Sequence, residues 1–196
     1  MNLSLSILVR YYAVLLLGGF LPLSGVAENQ FQLTTRSQVL QEGGTLTSYV
    51  VLSRHNGFRF LPPHGWKLVI DEGESKITLA PTDLCARISF TVFWQKEAST
   101  APVAADVLRS NVLGRFPEAT MSEEPCYANE QKGIAFDLSY SRANDVNLST
   151  RLAFIPFRGG TIEFNLTSKT TDFTKYHLIF GQLLNSFQVE LLPTSK

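Results

Sequence analysis

Apolar and polar residues change places at every step between Ala86 and Gln95. Ala86, Ile88, Phe90, Val92 and Trp94 fall on one side of an extended chain, and Arg87, Ser89, Thr91 and Phe93 on the other. Ile134, Phe136, Leu138 and Tyr140 repeat the pattern against Ala135, Asp137 and Ser139. A period of two specifies strands of a half-buried antiparallel sheet. Its apolar face must then be covered by another layer. The segment from about Asp172 to Phe187 supplies one. Phe173, Tyr176, Ile179, Phe180, Leu183, Leu184 and Phe187 recur at helical spacing and form a wide apolar stripe. Thr170, Thr171 or Asp172 stands where a helix N-cap belongs.

Further strands are expected at Leu46–Leu52, Phe58–Leu61, Trp66–Ile70, Lys76–Leu79 and Thr161–Thr167. Arg151–Phe157 is apolar on both faces and is expected to be central. Asn56-Gly57 lies between two apolar runs and predicts a hairpin turn, because both residues tolerate positive φ. Ala101–Phe116 reads as a second helix, with Pro102 in its first turn, Val103, Val107, Leu108, Val112 and Phe116 on its apolar side, and Pro117 as its stop. Helices separate groups of strands without alternating with each one. The expected fold class is therefore α+β, an antiparallel β-sheet flanked by helices in an α-β-α sandwich.

The first 27 residues have a different character. Arg10 precedes an apolar run through Leu21, and Gly25-Val26-Ala27 offers the small residues that a signal peptidase reads. This is the layout of a secretory signal peptide, and the run is too short for a membrane span. The expectation is an exported protein, periplasmic or secreted, whose mature chain starts near Glu28. Residues 28–44 read as a polar lead-in with one short helical turn, residues 45–190 as a single domain, and residues 191–196 as a tail. No later segment has the length and apolarity of a span, so no stable membrane anchorage is expected once the leader is removed.

Lys+Arg and Asp+Glu balance at 17 each, and the charges are scattered singly. Nothing in that pattern favours nucleic acid as a partner. Cys85 and Cys126 are the only cysteines. In an oxidising compartment they are expected either as a disulfide or as two separately buried thiols.

Three packing motifs resemble a known family. Phe58-x-Phe60-x-Pro62-x-x-Gly65-Trp66 resembles the opening strand and turn of the PsbP-like superfamily, written F-x-x-P-x-G-W. A mid-chain helix ending at Phe116-Pro117 follows. Leu183-Leu184-Asn185-Ser186-Phe187 resembles the family's closing helix. The likeness covers about residues 58–189 and implies an antiparallel sheet held between helices in a largely non-catalytic protein. The Asn56-Gly57 hairpin and the long lead-in depart from the family pattern. No residue here matches a binding motif for manganese or chloride.

No catalytic or metal motif stands out, and no cofactor is expected. His55, His64 and His177 lack HxH or HExxH spacing, and G-x-S-x-G is absent. Glu123-Glu124 and Asp71-Glu72 read as solvated charge. The most interesting constellation is a polar sheet face carrying Arg87, Ser89, Thr91, Asp137, Ser139, Glu163 and Asn165. It reads as a wet outer face or as a groove for a small ligand or peptide, with Arg87, Asp137, Glu163 and Asn165 as the binding residues. The functional expectation is an exported, non-enzymatic accessory or binding domain with a protein or small-molecule partner. One alternative is a carrier that holds an apolar ligand between the last helix and the sheet, as START-like domains do. A second is a hydrolase using His64 or His55.

Overall fold

The computed structural model describes residues 31–39, 44–95, 102–142 and 146–192. The N-terminal leader and the end of the tail lie outside the described residues. Among the described residues, two antiparallel sheets and two α-helices make up the fold. The smaller sheet holds β1 (Gln32–Val39), β2 (Thr45–Ser53), β3 (Asn56–Phe60) and the closing strand β11 (Gln188–Leu191), in the order β1-β2-β3-β11. The larger holds β4 (Lys67–Asp71), β5 (Lys76–Ala80), β6 (Ala86–Trp94), β7 (Thr120–Ala128), β8 (Gln131–Arg142), β9 (Val146–Phe157) and β10 (Gly160–Lys169). Its order is β4-β5-β6-β10-β9-β8-β7. Helix α1 (Ala105–Arg115) joins β6 to β7, and α2 (Phe173–Ser186) precedes β11.

The expected α+β layering is present. The apolar face of β6 meets Ile162, Phe164 and Leu166 of β10 in register. On the other side of β10, Ala153 and Ile155 of β9 continue that face. Helix α2 and the small sheet cover it together. Tyr176, Phe180, Leu183 and Leu184 of α2 are buried there, with Phe173 and Ile179 packed against the cluster. Phe187, at the end of α2, lies at its centre. Its ring stands 4.8 Å from that of Phe164 and 5.5 Å from that of Phe90, in edge-on contacts. Phe58 and Phe60 bring the small sheet into the same cluster, and the Phe60 ring lies 5.2 Å from Phe90.

Strand β9 is central, as its apolar run requires. Ala153 and Ile155 face the α2 cluster, while Leu152 and Phe154 face α1. Helix α1 is shorter than its sequence predicts. Pro102 and Val103 precede it, and its first turn is closed by the Val107 and Leu108 N–H groups on the Ala104 carbonyl at 3.1 and 3.2 Å. Leu108 and Val112 are its buried residues, whereas Val107, expected on the stripe, faces solvent. For α2, none of Thr170, Thr171 and Asp172 makes a side-chain cap. A single 3₁₀ turn over Thr170–Asp172 leads into the helix instead.

Three elements correct the sequence reading. Residues 32–39 form β1, not a loose lead-in with a helical turn, and pair with β2 along their whole length. Most of their side chains are exposed, so the strand shows no apolar alternation; Phe31, just before it, is the buried anchor. The hairpin between β2 and β3 exists, but Arg54-His55 makes its turn, with Arg54 at φ 53°. Asn56 and Gly57 open β3. Gly57 lies against the Leu192 and Val50 side chains at ordinary contact distance. Residues 120–128 form β7, although the adjacent charges of Glu123-Glu124 carry no strand signal. Pro125 fits because β7 is an edge strand with one side unpaired.

Candidate functional site

The two sides of the large sheet are covered unequally. Facing α1, strands β8 and β9 present Phe136, Leu138, Leu152 and Phe154, and Leu108 and Val112 pack on them. Strands β10, β6 and β5 present Thr161, Glu163, Thr91 and Lys76 on the same face. A helix with two buried residues seals only the apolar half. Between its open flank and the polar half lies a groove of about 920 Å³, open to solvent. The β4–β5 turn at Gly73–Ser75 forms its far wall, and Asn111, Gly114 and Arg115 of α1 its near one.

Glu163 is buried on the groove floor. Arg115 reaches it from the last turn of α1, donating from Nη1 to Oε2 at 2.6 Å and from Nη2 to Oε1 at 2.8 Å. This hydrogen bonding holds the guanidinium above its ordinary pKa against the opposing effect of burial. Beside it, the Thr161 Oγ1 is buried and has no hydrogen-bond partner among the described residues. Phe93 stands half exposed at the groove edge.

The four expected binding residues do not form one site. Glu163 lies in the groove. Asn165 shares its face one row further on, where its Oδ1 accepts from Thr167 at 3.0 Å. Thr167, Thr150 and Tyr140 extend that contact into a chain of hydroxyls across β10, β9 and β8, with spacings of 2.8 and 3.2 Å. Arg87 pairs in register with Thr167, so it lies on this face at the end remote from the groove. Asp137 lies on the opposite face. Its register partner is Arg151, and Ala135 and Ala153 beside them face the α2 cluster. There Arg151, itself buried, donates to Asp137 Oδ2 at 2.5 Å and also pairs with Glu124 of β7. Ser139, in the same phase as Asp137, goes with it. Strands β8 and β10 are separated by β9, and alternation within a strand does not fix its phase relative to a strand that is not its neighbour.

Cys85 and Cys126 are both free thiols, so the bridge expected as one alternative is not formed. Cys85 is exposed just before β6, and Cys126 is buried in β7. Four strand spacings separate β6 from β7, or about 19 Å, while a disulfide needs Cα atoms within about 7 Å. Burial pushes the Cys126 thiol up to about 11. His55 and His64 are exposed in turns and make no side-chain hydrogen bond among the described residues. The His177 ring rests against that of Phe173 at 5.8 Å. Among the described residues no group of three or more His, Cys, Asp or Glu is placed to hold a metal ion. No helix there is long and apolar enough to cross a membrane.

No family model matches the sequence, and no curated protein matches it. Solved structures do. The solution structure of cyanobacterial PsbP (CyanoP) from Synechocystis sp. PCC 6803 superposes with a TM-score of 0.53 at 18% identity, over 89% of this chain and 99% of that one. LpqN, involved in cell envelope biogenesis of Mycobacterium tuberculosis, gives 0.47 at 14% identity, over 82% of this chain and 92% of that one. A Bacteroides thetaiotaomicron VPI-5482 crystal structure gives 0.47 at 13% identity over 71% of this chain; the match spans 46% of that longer protein. The chain has a PsbP-like α+β fold.

Proposed function

We propose that this protein is an exported, non-enzymatic accessory domain that binds its partner through the groove beneath α1. The observation that carries the reading is the uncovered polar half of the large sheet, with a clamped carboxylate and an unpartnered hydroxyl on its floor. Glu163 is tied at both oxygens by Arg115, so it is not free to act as a general acid or base. Thr91, Lys76 and Thr161 offer polar contacts, and Phe93 and Val103 offer apolar ones. That mixture suits a small polar ligand or the side chains of a peptide. The PsbP-like fold agrees with an accessory role, and the leader-like N-terminus supports export.

The carrier alternative needs room between α2 and the sheet. Phe164, Phe180 and Phe187 fill that interface, and each is fully buried. The filled interface favours the accessory reading.

A photo-reactive phenylalanine analogue placed at Asn111 tests the reading in the producing cell. The expected result is a defined adduct from Asn111 and none from the same analogue at Leu178, on the exposed side of α2. Equal labelling from both positions, or a recovered protein still carrying residues 1–27, would overturn it.

A further inference from the structure

At the opposite end of the same sheet face lies a second cleft, of about 430 Å³. Its floor is aliphatic, made by Leu148 and Val146 of β9, and Leu84 from the β5–β6 turn stands at its rim. Three cations surround that floor. Arg87 pairs in register with Thr167, Lys169 with Leu148, and Arg142 with Val146. These pairings place all three side chains on the face that bears Glu163 and Asn165, from strands β6, β10 and β8. None of the three side chains enters an ion pair or hydrogen bond with a described residue. Two acids also act at the cleft edge: Asp83 of the β5–β6 turn, which accepts from the Cys85 backbone N–H at 3.1 Å, and Asp172, so the three cations outnumber the described acids there.

Leu84 adds a second observation. It holds a positive φ of 57°, where a branched residue is disfavoured, and yet it is 75% exposed. The turn thus holds an aliphatic side chain out to solvent beside the cations. An apolar floor calls for a hydrocarbon group, and three cations without an ion-pair partner among the described residues call for an anionic head. Across the floor, β10 is paired on both sides by β6 and β9, and β9 on both sides by β10 and β8. A peptide could not add to them as a further strand. The ligand must be held by side chains alone, which fits a compact amphiphile.

We infer that this cleft binds a small amphipathic anion, a carboxylate on an aliphatic chain, with Arg87, Lys169 and Arg142 on the head and Leu84, Val146 and Leu148 on the tail. The assignment is independent of the groove beneath α1.

Decanoate is the probe, titrated below its micellar concentration into the full chain and followed by backbone amide NMR. Saturable shifts confined to residues 84–87, 140–142, 146–148 and 167–169 are expected. Arg87→Gln and Lys169→Gln should each weaken decanoate by about tenfold, the loss of one charge-assisted contact. Lys132→Gln, an exposed change at the other end of β8, should leave it unchanged. Acetate should bind far more weakly than decanoate, and decyltrimethylammonium should not shift these residues. Equal binding of the cationic amphiphile, unchanged affinity in both Gln variants, or shifts that map to α2 would each overturn the inference.

Discussion

Arg115 and Glu163, 48 positions apart in sequence, are joined by two hydrogen bonds that tie the end of α1 to β10, the middle strand of the large sheet. The acid is the more deeply buried partner, with about a tenth of its side chain exposed against 41% for the arginine. Removing the arginine therefore strands a charge. Arg115→Ala should lower stability by about 1–3 kcal/mol in urea titration. Adding Glu163→Gln to that variant should recover part of the loss, since the uncharged amide costs less to leave unpaired. A double-mutant cycle with no coupling would show that the pair does not position α1.

Phe187 is the second point of leverage. It is 1% exposed and its ring meets those of Phe58, Phe60, Phe90 and Phe164. Phe187→Ala should cost about 3–5 kcal/mol, because the hole opens where α2 and both sheets converge and little can collapse into it. Leu178→Ala, on the exposed side of α2, should change stability by no more than about 0.5 kcal/mol.

The thiols give a labelling prediction and a pH prediction. With Ellman's reagent the native protein should expose one reactive thiol, Cys85, and denaturant should release the second. Cys126 keeps its proton to about pH 11 in the folded chain against an ordinary value of 9.0. Between those values the unfolded chain has given up a proton that the folded chain retains. The contribution of this thiol to stability is therefore complete below about pH 9 and is lost as pH rises toward 11. Cys126→Ala should remove that part of the alkaline decline in a denaturant series at stepped pH.

Much of this fold was legible because its strands alternate. In β6 and β8 each inward residue is apolar, and in α2 the stripe from Phe173 to Phe187 is unbroken. The strands that escaped notice lack such a signal. In β1, Thr34, Thr35, Arg36, Ser37 and Gln38 are exposed on both faces, so nothing alternates. In β7, Glu123, Glu124 and Pro125 interrupt the pattern, which only an edge strand tolerates. Asn56-Gly57 is the stronger hairpin signal, yet the turn falls two residues earlier, at Arg54-His55, and Asn56 and Gly57 pair with Ser53 and Leu52 as the start of β3. Part of the site is legible too: Glu163 holds a polar position in an alternating strand, whereas Arg115 gives no signal, because a lone arginine at a helix end carries no periodic mark. Asp137 lies on the face opposite to Glu163, which alternation alone does not reveal, because β9 separates β8 from β10 and that adjacency is a property of topology.

The divided loyalty of β9 has a mechanical consequence. Leu152 and Phe154 root one hydrophobic cluster, and Ala153 and Ile155, their immediate chain neighbours, root the other. Neither helix can melt away without loosening the strand that anchors its counterpart. The molecule should thus come apart in a single cooperative step, and a compound that tightens α1 onto its half of the sheet should delay the loss of α2 as well.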